Sequence, residues 1–305
     1  MVKKEPEILS LKKNEGCNGQ IGLLKDVVYS RLYPEADKLH LLVPWSIHET
    51  LTQGTPAKET PKRPLIVFVQ GSGWTHPDVT YELPQLVQFA KAGYIVALAE
   101  HRNCLDGFPA PAFLEDVKTA IRFLRKNADL YGIDGNRTAI WGTSSGANTA
   151  LLAGLTGDLP EYKTEEYPEY SDSVQLVVSC FAPTDLTALI KGDFIRSEGG
   201  EVIIKALLGD DKTLWEERAK AISPLYRVTK GKEYPPFLLL HGDADALVSY
   251  SDNFLTMVRR LAECGADVQA YRVEGAPHEG EFWGREVYDV ILDYLNNRFK
   301  VYTHA

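Results

Sequence analysis

The chain has 305 residues, 44% hydrophobic and 25% charged, which is the composition of a globular protein able to bury a core without metals or disulfides. Its net charge of −9 works against non-specific binding to nucleic-acid phosphates or anionic lipid. No stretch approaches the ~18 consecutive apolar residues of a membrane span, and the opening Met-Val-Lys-Lys-Glu-Pro-Glu lacks a leader's apolar run, so the reading is cytoplasmic, with no nucleic-acid or membrane partner.

After the charged leader, residues 23–32 and 39–47 read as an antiparallel strand pair joined through Pro34-Glu35-Ala36-Asp37. The polar stretch 50–63 reads as an exposed loop. From Pro64 onward, short continuous apolar runs recur at 65–69, 94–98, 138–141, 174–181, 236–240 and 268–273. Runs of this kind suit strands covered on both faces. Helical patterns lie among them: residues 113–127, with Ala120, Ile121, Phe123 and Leu124 on one face, then 253–262 and 282–299. The alternation predicts an α/β fold, a mostly parallel sheet with helices on both faces, as a single domain over 1–305. Two segments interrupt it: the acidic, tyrosine-rich 158–172, with Tyr162, Tyr167 and Tyr170, and 187–222 with its short helices. Both are expected to cap a crevice at the carboxyl edge of the strands. Cys17, Cys104, Cys180 and Cys264 form no CxxC pair and no zinc spacing, so reduced thiols, no metal and no cofactor are expected.

The strongest motif is Gly142-Thr143-Ser144-Ser145-Gly146, which follows the strand Thr138-Ala139-Ile140-Trp141 and opens a helix with Ala147, Ala150 and Leu151. A serine between two glycines at a strand-to-helix elbow is held on a turn too tight for flanking side chains. The helix N-terminus behind it favours developing negative charge. Ser145 is the neighbouring alternative, but only Ser144 has a glycine two residues away on each side.

A serine hydroxyl needs a base to take its proton. Serine hydrolases built on such an elbow order their groups as Ser, then Asp or Glu, then His. Of seven histidines, His40, His48, His76, His101 and His241 precede the acid region and His304 is penultimate, which leaves His278 in Gly275-Ala276-Pro277-His278. Asp243 and Asp245 both fall just past the strand 236–240, and spacing alone does not separate them. Asp185 is a third acid, read as a helix cap. For the oxyanion, the turn Gln70-Gly71-Ser72-Gly73-Trp74 after strand 65–69 offers the N–H groups of Gly71 and Ser72, joined by that of Ser145.

These segments together resemble the α/β-hydrolase esterases, in particular the feruloyl-esterase-like and hormone-sensitive-lipase-like carboxylesterase groups. Gln70 to Trp74 is similar to their His-Gly-Gly-Gly-Trp loop, with Gln70 where histidine is usual and Ser72 for a glycine. Their His-Gly-x-x-Asp-x-x-Val pattern fits His241, Gly242, Asp245 and Val248, so the resemblance selects Asp245 over Asp243. It implies a serine esterase acting through Ser144, His278 and Asp245 on small acyl esters, acetyl or feruloyl, including those on plant carbohydrates. Gly73 and Trp74 are read as substrate contacts, and Trp74 and the tyrosines of 158–172 are open to two readings, stacking on an aromatic acyl group or a sugar ring, or a place in the core or at the surface. A homodimer is left open. The competing readings are a prolyl-oligopeptidase-like peptidase, for which there is no room for a propeller, and a non-catalytic ligand-binding hydrolase fold, expected to lack a nucleophile or base.

Overall fold

The computed structural model describes residues 8–14, 19–192 and 194–301. Cys17 and His304 lie outside them. The described strands are β1 (Ile21–Val28), β2 (Lys38–Pro44), β3 (Arg63–Val69), β4 (Ile95–Ala99), β5 (Ile133–Thr143), β6 (Leu176–Cys180), β7 (Phe237–Gly242) and β8 (Val268–Val273). They form one sheet in the order β1-β2-β4-β3-β5-β6-β7-β8. The first two join antiparallel, β2 running against β4, and every pair from β4 to β8 is parallel.

The helices are α1 (Trp45–Thr52), α2 (Leu83–Lys91), α3 (Ala112–Lys126), α4 (Ala128–Tyr131), α5 (Ser144–Leu155), α6 (Leu186–Lys191), α7 (Gly200–Leu208), α8 (Trp215–Ala221), α9 (Pro224–Arg227), α10 (Thr256–Glu263) and α11 (Arg285–Phe299). Because side chains alternate along a strand, β3 sends Leu65, Val67 and Val69 to one face and Ile66 and Phe68 to the other. The first face is covered by α1, α3, α5 and α10, and the second by α2 and α11. Each fully buried Leu, Ile or Val contributes about 1.5–3 kcal/mol over its exposed state, so two cores fix the register of the central strands.

Three expectations are corrected. The second strand stops at Pro44, and α1 follows instead of strand or loop, because Ile47 and Leu51, four apart, share a face that packs inward. The stretch 50–63 is also not wholly exposed, since Ala57 is buried. Segment 158–172 does not cap the carboxyl edge. It begins just past the C-terminus of α5, and a helix of 12 residues spans about 18 Å, which carries the chain to the opposite end from Ser144. There Asp172 pairs with Lys118 and Arg122, Tyr162 is buried, and Tyr167 packs edge-on to Phe123 while its hydroxyl donates to the Tyr29 carbonyl. The segment 187–222 does hold α6, α7 and α8, between β6 and β7. Both of its roots are tied to one side chain: Asn148 of α5, fully buried, donates through Nδ2 to the Pro183 and Ile222 carbonyls, each at 3.0 Å.

Candidate active site

β5 delivers Ser144 to the carboxyl edge of the sheet at φ 49°, the left-handed region that non-glycine residues rarely occupy. Its neighbours permit this. A Cβ on Gly142 would lie 2.1 Å from the Gly146 carbonyl oxygen, and one on Gly146 would lie 2.1 Å from that of Val69. Both positions therefore require glycine for space, and α5 can start directly behind the serine.

Three distant stretches converge here. His278 Nε2 is 2.9 Å from Ser144 Oγ, and His278 Nδ1 is 2.7 Å from Asp245 Oδ2. With Nδ1 protonated toward the carboxylate, Nε2 is left to accept the serine proton. The edge of the Phe181 ring, at 4.8 Å between centroids, packs against His278 and limits its rotation. Asp245 is anchored on its other side: Oδ1 accepts the N–H groups of Leu247 and Val248, both at 2.9 Å, and Oδ2 also receives His241 Nε2 at 3.0 Å. Burial alone raises the Asp245 carboxyl, but the bonds from His241, His278 and the Val248 N–H outweigh it and hold the group well below the usual carboxylate range. The two other acids have structural roles. Asp243 accepts the Gly275 N–H at 2.6 Å, and Asp185 caps α6 by accepting the Thr187 N–H at 2.9 Å.

The oxyanion loop differs from its sequence reading. Gly71 N–H donates to Thr143 Oγ1 at 2.8 Å and Ser72 N–H to Ser145 Oγ at 2.9 Å. Neither is free, because hydroxyls from the elbow reach across and tie the loop to β5 and α5. Among the described residues, the Gly73 N–H has no hydrogen bond, and the Ser145 N–H, in the first turn of α5, has no intrahelical partner. Ile203 of α7 lies across Gly73, 3.8 Å from where a Cβ would stand. Trp74 is not presented for stacking. It is 2% exposed and packs near Phe113, with ring centroids 6.3 Å apart.

Behind Thr143 lies Glu82, 4% exposed, with Oε1 3.4 Å from the Thr143 hydroxyl. Burial and the nearby Glu279 push it up to about 8 against the opposing pull of Thr143. Burial also raises Glu279, next to His278, although the Trp283 indole donates to it. His241, Phe181, Thr143 and Glu82 all escaped the sequence reading. Only His241 had a signal, its place in the His-Gly-x-x-Asp-x-x-Val pattern. Among the described residues no group of three His, Cys, Asp or Glu side chains is placed to hold a metal ion, and no helix is long and apolar enough to cross a membrane.

A mostly parallel sheet whose fifth strand ends in a serine elbow, with histidine and aspartate delivered after β8 and β7, is the α/β-hydrolase fold. The chain belongs to the BD-FAE family, which it matches over residues 54–256. It is similar to Esterase LipC of Mycobacterium tuberculosis, 29% identical over 221 residues, covering 72% of this chain and 53% of the relative. It is also similar to the isoprenylcysteine alpha-carbonyl methylesterase ICME of Arabidopsis thaliana, 25% identical over 233 residues, with 74% and 53% covered. The chain thus spans about half the length of these curated relatives. Among solved structures, a truncated carbohydrate esterase from gut microbiota superposes with a TM-score of 0.73 at 23% identity, covering 95% of this chain and 100% of that one. Thermogutta terrifontis esterase 2 phosphonylated by sarin gives 0.71 at 20%, with 96% and 99% covered.

Proposed function

We propose that the protein is a serine carboxylesterase that cleaves small acyl esters, acetyl or feruloyl, including those carried on plant carbohydrates, through an acyl-enzyme on Ser144. The observation that carries this reading is the unbroken chain of hydrogen bonds from Ser144 Oγ through His278 to Asp245, 2.9 and 2.7 Å. His278 Nε2 takes the serine proton as Oγ attacks the ester carbonyl, and Asp245 stabilises the imidazolium. The Ser145 and Gly73 N–H groups, which no other group occupies, receive the oxyanion. His278 then protonates the leaving alcohol, and water releases the acid by the same route. The names of the relatives, esterases and a methylesterase, and of the carbohydrate-esterase neighbour, support the reaction and the sugar-borne substrate.

The test is hydrolysis of p-nitrophenyl acetate by the native protein and by Ser144→Ala, with and without a serine-directed phosphonate. The native protein is expected to turn over and to be silenced by the phosphonate. Ser144→Ala is expected to lose at least roughly a thousandfold in kcat with its fold retained. Comparable activity in the two proteins would falsify the assignment.

A further inference from the structure

Ser145 follows the nucleophile in the elbow, and its hydroxyl has no part in the reaction scheme. It is 2% exposed, and its Oγ accepts the Ser72 N–H at 2.9 Å, while His278 bonds the hydroxyl of Ser144. The Ser145 hydroxyl is thus a fastening between α5 and the loop that follows β3. Thr143, also buried, makes a second one. Its Oγ1 accepts the Gly71 N–H at 2.8 Å, and its own hydrogen faces Glu82 Oε1 at 3.4 Å.

What these bonds hold is the oxyanion donor Gly73. Its N–H and the Ser72 carbonyl belong to one trans peptide, so they point in opposite directions. The Ser72 carbonyl is fixed by Thr75, which donates its N–H at 3.2 Å and its hydroxyl at 2.6 Å, and Ser72 Oγ returns a bond to the Thr75 carbonyl at 2.7 Å. The Gly73 N–H is thereby turned away from Thr75. Trp74 stands at φ 60°, a conformation that a bulky residue keeps only where its surroundings over-determine it. The Cys104 N–H holds this far end, donating to the Trp74 carbonyl at 3.0 Å. At the near end the loop lies directly against the nucleophile, since a Cβ on Gly71 would stand 2.7 Å from that of Ser144. The loop is therefore one internally braced unit, and the two elbow hydroxyls set its place relative to Ser144.

We propose that Ser145 and Thr143 are positioning residues of the oxyanion hole: Ser145 supplies one donor through its backbone and, together with Thr143, aims the Gly73 N–H through its side chain. The inference rests on the esterase reading above. A donor acts in the transition state only when it lies about 2.7–3.1 Å from the oxygen that becomes negative, and a displacement of about 1 Å can cost a hundredfold in rate. Lost aim weakens the transition state more than the bound ester, so it falls on kcat and spares KM.

The test compares kcat and KM for p-nitrophenyl acetate in the native protein, Ser145→Ala, Thr143→Val and Thr143→Ser. Each rate is divided by the amount of serine titrated to completion with a phosphonate, so unfolded protein does not count. Ser145→Ala, which keeps the backbone donor, and Thr143→Val are each expected to lose roughly ten- to a hundredfold in kcat with KM within about twofold of native. Thr143→Ser keeps the hydroxyl and should recover most of the loss. The pH profile of kcat/KM should keep its native shape in all three, because His278 and Asp245 are untouched. Should Thr143→Val not fold, Ser145→Ala decides alone, because alanine fits wherever serine does. A kcat for Ser145→Ala within about twofold of native, a Thr143→Ser variant as slow as Thr143→Val, or a shifted pH profile overturns the proposal. No turnover of any ester by the native protein removes the esterase reading itself.

Discussion

His241 and His278 meet on one oxygen: Asp245 Oδ2 receives His241 Nε2 at 3.0 Å and His278 Nδ1 at 2.7 Å. His241 Nε2 also lies 3.0 Å from the Val248 carbonyl. Both neighbours are acceptors, so this nitrogen carries the hydrogen and donates to both. His241 therefore sets the direction in which Asp245 faces the imidazole. Losing a bond to a charged group costs about 1.5–3 kcal/mol, so His241→Leu is expected to lower kcat by roughly ten- to a hundredfold with KM little changed. His241→Gln, which keeps a donor, should recover part of the loss. Equal kinetics for the leucine and glutamine variants would show that the bond to Asp245 is irrelevant to turnover.

Ser144 holds a positive φ of 49°, and strain of this kind costs on the order of 1–3 kcal/mol. Ser144→Gly should be inactive yet more stable than the native protein by about 1 kcal/mol, read from urea midpoints. A less stable glycine variant would mean that the elbow is relaxed.

Gly146 allows no such freedom. An added Cβ would sit 2.1 Å from the Val69 carbonyl oxygen, on the backbone of a central strand that cannot retreat. Gly146→Ala is expected to destabilise by more than the 1–3 kcal/mol typical of overpacking. A melting temperature within a few degrees of native would contradict the close approach of α5 to β3.

Glu82 links stability to pH. Its carboxyl is raised, by burial first and by Glu279 second, to about 8. A group whose folded value lies above its unfolded one contributes stability that is fully present below the unfolded value, about pH 4, and lost as pH rises through the folded value. The native protein should thus lose stability between pH 5 and pH 9 in part through Glu82. Glu82→Gln, uncharged throughout, should show a flatter profile, and parallel melting curves across that range would refute the linkage.

At the far end of α5, Asp172 faces both Lys118 at 2.7 Å and Arg122 at 2.8 Å, with all three side chains fully buried. Removing the carboxylate leaves two buried cations uncompensated, so Asp172→Asn is expected to cost about 3–5 kcal/mol. Chemical denaturation measures this directly. A cost below about 1 kcal/mol would mean that water reaches the cluster.

The sheet and the elbow were legible because their signals are local. Unbroken runs such as Leu238-Leu239-Leu240 leave no polar face, and Gly142 and Gly146 bracket a serine between strand and helix. Ser144 and His278 followed from motif and chain order, Asp245 only from the family resemblance, and the structure brings the three into contact. What escaped depends on contacts across long separations. That Gly71 and Ser72 spend their N–H groups on the hydroxyls of Thr143 and Ser145 is invisible in a loop read by itself. Trp74, an aromatic in a glycine-rich loop, looks the same in sequence whether it faces a ligand or Phe113. The tyrosines of 158–172 were placed at the wrong end because composition carries no direction, whereas the length of α5 does. Helix α2 passed unmarked because its nine residues span barely two and a half turns, too short for the apolar positions Leu83, Leu86, Val87, Phe89 and Ala90 to set a clear helical period.

Asn148 has a consequence for how the family can diversify. By gripping the Pro183 and Ile222 carbonyls together, it closes the base of the intervening segment independently of what lies between. Once two ends are pinned, extra length is cheap, about 0.6 kcal/mol per doubling of a flexible loop. Added length is therefore best tolerated in the joints between α6, α7 and α8, while Leu186, Ile204, Leu207 and Ala219, buried in the larger core, keep the packed faces of the segment in place.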